Sequence, residues 1–145
     1  MARAFGKPPA YFWVVGVILL LWGLAGLAAF YGQVTLDAKA LAAMSDYDRA
    51  LLTRLPRWLN IDYGIATIAG ALGSVALLLR SRHARPLYLV SLVAVILQFG
   101  YMLGATDQIA VKGLLVAAGF PVFIVVMGVV QLWFARVATG RGWLR

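Results

Sequence analysis

Four stretches of this chain are apolar enough and long enough to cross a bilayer, and nothing else in the sequence limits the possible folds so strongly. They are residues 11–31 (YFWVVGVILLLWGLAGLAAFY), about 59–79 (LNIDYGIATIAGALGSVALLL), about 87–105 (LYLVSLVAVILQFGYMLGA) and about 113–135 (GLLVAAGFPVFIVVMGVVQLWFA). Each is near the ~20 residues a helix needs to cross ~30 Å of hydrocarbon. An isolated strand or loop could not do so, because its backbone N–H and C=O groups would go unpaired in lipid. The expected fold is therefore an all-α membrane protein: one four-transmembrane-helix domain covering residues 1–145, with an outer loop at 32–58.

Composition supports a lipid environment. Of the 145 residues 63% are hydrophobic and only 12% charged, too little polar surface to cover a soluble core of this size. The net charge of +8 lies in short segments between apolar runs, with no basic helix or sheet face, so nucleic acid is not expected as a partner. The charge reads as a topology signal. Arg3, Lys7, Arg80, Arg82, Arg85, Arg136, Arg141 and Arg145 fall on one side with no acid among them. Lys39, Arg49, Arg54, Arg57 and Lys112 fall on the other with Asp37, Asp46, Asp48, Asp62 and Asp107. The positive-inside rule then places both termini in the cytoplasm. A cleaved leader is not expected, since the first apolar run is longer than a signal-peptide core of ~7–15 residues.

The absence of cysteine removes thiolate chemistry, disulfides and sulfur-ligated metals. The single histidine, His83, sits in a basic turn, and the carboxylates are scattered. No nucleophile–base pair, metal constellation or phosphate loop can be assembled. No enzymatic activity and no cofactor are expected. The centres of the spans also lack charges, which argues against proton coupling, because intramembrane charges mark such relays.

The outer loop is patterned. Thr35 is expected to cap a short helix carrying Leu36, Ala40, Leu41 and Met44. Ser45 is expected to cap a second, with Asp46 and Asp48 in its first turn and Tyr47, Leu51 and Leu55 on one face. Pro56 ends it. The segment reads as an amphipathic cap on the bundle or as a docking surface for a partner.

Within the spans, small residues at Ala66, Gly70 and Ser74, and at Gly16, Gly23 and Gly26, are expected to let helices approach closely or to serve a homodimer face. A polar layer lies below the outer edge. Gln98 and Thr67 are expected ~10 and ~12 Å deep, level with Pro121 and Gly23, beneath Tyr63, Tyr101 and Asp62. One reading makes this layer helix glue, with Gln98 donating to the Ala117 carbonyl that Pro121 leaves without its donor. The other makes it a shallow outward pocket for a small neutral polar molecule, formed by Gln98, Tyr101, Tyr63, Thr67 and Asp62. Gln131 is expected near the inner boundary, with no role.

The pieces LWGLAGLAAFYGQV, LAAMSDYDRALLTRLPRWL, GALGSVALLLRSRHARPLYLVSLVAVILQFGYML and LWFARVATGRGWL, in this order, resemble a group of small bacterial four-span inner-membrane proteins, many described as sugar transporters. The resemblance covers most of the chain. It implies a multi-pass protein of the bacterial inner membrane and a transport role, and it carries no binding residues across. Two functions stay open: a noncatalytic accessory or interaction subunit acting through its spans and outer loop, or a small-solute transporter or channel working as a dimer or larger assembly.

Overall fold

The structure is a computed structural model describing residues 5–145; Arg3, counted above among the topology charges, lies outside the described residues. Seven helices follow one another: α1 (Ala10–Val34), α2 (Ala38–Ala43), α3 (Asp46–Arg54), α4 (Trp58–Leu78), α5 (Ala84–Gly104), α6 (Gln108–Lys112) and α7 (Leu114–Gly140). Among the described residues there is no strand. Four helices, α1, α4, α5 and α7, are long and apolar enough to span a membrane.

Two boundaries differ from the sequence reading. Helix α5 begins three residues early and takes Pro86 into its first turn, where a missing N–H breaks no intrahelical bond. Helix α7 runs five residues further, to Gly140, because Arg136 and Thr139 interrupt the hydropathy without interrupting the helix. Pro121 lies inside α7. At the loop, Thr35 does not cap α2: its hydroxyl donates to Tyr31 O at 2.6 Å, while Asp37 accepts from Ala40 N at 2.7 Å. Asp37 is the nearer acceptor because α2 starts at Ala38. Ser45 accepts from Asp48 N at the start of α3.

The spans pack in the order α1, α4, α5, α7. Small residues set the close approaches. A Cβ at Gly23 would stand 3.0 Å from Ala71 Cα, and one at Gly73 2.7 Å from the Tyr88 ring. Tyr88 and Ser74 share a buried hydrogen bond of 2.7 Å, and Ser91 donates to Ala66 O at 2.7 Å. Such bonds join α4 to α5 where lipid supplies no hydrophobic drive. Helices α1 and α7 meet differently. Trp22 packs edge-on to Phe123 with ring centres 5.5 Å apart, and Phe12 stacks on Phe134 at 5.9 Å. Side chains rather than backbones bridge that seam.

The end of the bundle carrying both termini is knotted. Arg80 adopts a left-handed backbone (φ 57°), uncommon for a residue with a Cβ. Its guanidinium donates to Trp143 O and to Gly6 O, both at 2.8 Å. Its carbonyl accepts from Arg145 N at 2.7 Å, and Arg82 N donates to Arg145 O at 2.9 Å. Trp143 and Leu144 are buried against Phe12 and the neighbouring core. The basic turn and tail, read from sequence as charge alone, thus form a lock.

At the opposite end α3 folds over the bundle and is held by polar links. Lys112 Nζ donates to Asp48 Oδ1 at 2.7 Å, and Tyr47 Oη donates to Asp107 Oδ1 at 2.6 Å. The Lys112 bond, helped by Ser45, lowers the Asp48 pKa. Tyr47, with Arg54 beyond it, lowers that of Asp107. The same bond raises the Tyr47 hydroxyl. A carboxylate lowered in the fold stabilises it above the unfolded pKa and loses that contribution as pH falls through the folded value. Acidification below about pH 4 is therefore expected to loosen α3 while the spans stay folded. Amide hydrogen exchange should speed up in residues 46–54 before it does in α4; simultaneous exchange in both would show that these links do not hold the cap.

Candidate functional site

A cavity of about 180 Å³ lies between the four spans, along the seam of α1 and α7. It exists because that seam is closed only by large rings while Gly23, Gly26, Gly70 and Gly128 thin the walls. Trp22, Val95, Phe99, Phe120 and Ile124 also line it, and the lining is largely apolar.

The cavity is long. Gln98 stands six residues from the cap end of α5 and Gln131 seventeen from the cap end of α7. At ~1.5 Å per residue these depths are about 9 and 26 Å. The lining therefore extends over about 17 Å of depth, and with so small a volume the space is narrow, suited to a slender molecule.

Of the residues expected to form a polar pocket, the structure brings Tyr63, Thr67 and Gln98 to this cavity. Tyr101 and Asp62 do not line it. Tyr101 turns to the α4 start, edge-on to Trp58 at 5.2 Å. Asp62 is buried behind Gln98 on the α4 side. Thr67 offers little to a ligand, because its hydroxyl donates back to Tyr63 O at 2.9 Å. Tyr63 packs against Phe30.

Gln98 does not donate to Ala117. With its amide oriented by its hydrogen-bonding partners, Nε2 donates to Leu59 O at 3.0 Å and to Asp62 Oδ2 at 3.2 Å. The reason is the packing order: the face of α5 that carries Ser91 and Gln98 looks at α4, so α7 is out of reach.

Gln131 was missed as a site residue. It is only 4% exposed, lines the deep end of the cavity, and makes no hydrogen bond among the described residues. Gln131 lies nine residues inside the end of α7, about 13 Å from it. Its carboxamide holds two donors and an acceptor, and these face the cavity. The signal in the sequence was a glutamine between VV and LW, discounted because a polar residue costs little near the end of a span.

A second space, of about 190 Å³, lies under the cap between α3 and the ends of α4 and α5, lined among others by Gln33, Leu52, Asn60, Met102 and Gln108. Among the described residues no group of three or more His, Cys, Asp or Glu side chains is placed to hold a metal ion.

No family model, curated protein or solved structure matches this chain.

Proposed function

We propose that this chain is a noncatalytic multi-pass protein of the bacterial inner membrane, with both termini in the cytoplasm, that binds a slender, largely apolar molecule in the cavity between α1 and α7. The single observation carrying this reading is Gln131: an amide that opens onto the deep end of a largely apolar space and makes no hydrogen bond among the described residues. Such a group calls for a hydrogen-bonding atom on whatever fills the cavity. Access is from the bilayer, through the seam that rings rather than backbones close. The molecule carries one hydroxyl, carbonyl or amine on an apolar chain. A sugar fits poorly, because many hydroxyls would be buried against Val95, Phe99 and Ile124 without partners.

This favours a carrier or binding role over a subunit that works by packing alone. Lipid surrounds the spans, and a second copy or larger complex remains compatible with their apolar outer faces. A long-chain alcohol bearing a mid-chain diazirine, added to the protein in nanodiscs, tests the reading. Photolabelling is expected to concentrate on Val95, Phe99 and Ile124. Gly26→Leu, which fills the space beside Thr67, should abolish it, and Gly26→Ala should preserve it. Gln131→Leu should weaken it several-fold, the size of one lost hydrogen bond. Labelling spread evenly over lipid-facing residues such as Leu115 and Val116 would refute the proposal.

A further inference from the structure

Gln98 lines both spaces: the membrane cavity and the chamber under the cap. Among the described residues no other belongs to both linings. Its position on the wall is held by only two hydrogen bonds, to Leu59 O and Asp62 Oδ2. The chamber beyond has a different chemistry from the cavity. Gln33, Asn60 and Gln108 bring amides, and Asp48 brings a carboxylate already occupied by Lys112. Its roof, α3, is tied to α6 and its approach by the half-exposed pair Lys112–Asp48 and by the exposed Tyr47–Asp107 bond.

From this arrangement we infer that the chamber under the α2–α3 cap is a second compartment of the same site, and that Gln98 is the door between the two. The inference rests on the proposed cavity function and adds a route and a ligand class. Rotation of one side chain joins the cavity to the chamber, so a molecule that enters from lipid leaves toward the cap side. The same rotation takes the donor away from Asp62, whose carboxyl oxygen has no cation beside it among the described residues. The passing group must replace that donor. The compartment therefore accepts a neutral or cationic end, a hydroxyl or an amine, and rejects a carboxylate or phosphate.

The chain has no cysteine, so single thiols can report the route without any ligand. Val95→Cys places a thiol in the cavity and Met102→Cys one in the chamber. Each is treated, in proteoliposomes with the cap side outward, with a cationic trimethylammonium methanethiosulfonate and with its anionic sulfonate counterpart. The Met102→Cys thiol is expected to react readily and the Val95→Cys thiol slowly. Adding Gln98→Ala, or Gln98→Ser as a second small replacement, should raise the Val95→Cys rate at least about tenfold. Leu52→Trp, which fills the chamber, should cancel that gain. The cationic reagent should lead the anionic one at both thiols; an unchanged Met102→Cys rate certifies the fold of the Gln98 variants, and an unchanged thermal melting point that of Leu52→Trp. The inference is overturned by a Val95→Cys rate indifferent to Gln98, by a gain that survives Leu52→Trp, or by faster reaction with the anion. Because no chain-like molecule takes part, these outcomes are separate from failure of the diazirine labelling, which bears on the cavity function alone.

Discussion

Removal of Trp143, Leu144 and Arg145 is expected to leave a protein that inserts but does not hold its native packing. These three residues touch every segment at their end of the bundle. Trp143 lies edge-on to both Tyr11 and Phe12, Leu144 is 3% exposed, and the Arg145 backbone pairs with Arg80 and Arg82. Replacing a buried Trp by Ala costs about 3–5 kcal/mol, so Trp143→Ala alone is a large perturbation. Deletion additionally strands the Arg80 guanidinium, and a hydrogen bond to a charged group is worth about 1.5–3 kcal/mol. Together these losses reach the lower part of the whole stability of an ordinary domain, about 5–15 kcal/mol. Thermal unfolding of the purified protein followed by tryptophan fluorescence checks this. A shortened chain that melts within a degree or two of the intact one would show that the lock contributes nothing.

Gly73→Leu is expected to be equally damaging for the opposite reason, too much matter rather than too little. The added Cβ alone would fall 2.7 Å from Tyr88 Cδ1, well inside contact distance. Tyr88 cannot step aside, because it is 1% exposed and its hydroxyl is bonded to Ser74. Overpacking of this kind typically costs about 1–3 kcal/mol, and a branched side chain against a fixed ring belongs at or above the upper end. The α4–α5 interface is the most extensive in the bundle, so separation there also dismantles the cavity wall formed by Gly70 and Ser91. Gly100→Leu is the control, since nothing lies within 4 Å of a Cβ at that position. Equal expression and melting of the two variants would remove Gly73 from the packing argument.

Particular residues show how far the sequence could be read. Gln98 was recognisable as a polar group held in an apolar run, and its depth followed from counting. Its partner did not, because nothing in VILQFGYML states whether α4 or α7 lies opposite. Gln131 was legible as a polar residue toward the inner end of its span, but its burial on the cavity wall was not, because the sequence does not say which face of α7 turns to the other spans. Arg80, Arg82 and Arg145 were visible as charge, but their backbone pairing depends on the left-handed turn at Arg80 that closes α4 and on the tail folding back to it. Tyr101 and Asp62 were grouped with the pocket, but Tyr101 turns to Trp58 and Asp62 lies on α4 behind Gln98.

What the sequence determined by itself is the set of four helices long and apolar enough to span a bilayer. The reason is local: a long apolar segment in hydrocarbon must pair its own backbone groups, and only a helix does so alone. What the tertiary structure decided is the order of those helices, the open seam between α1 and α7, and therefore the cavity with Gln131 at its deep end. That order is not written in the hydropathy, because faces that meet lipid and faces that meet another span are both apolar. The choice between them falls to the shapes of glycines and rings, which have meaning only once the helices are side by side.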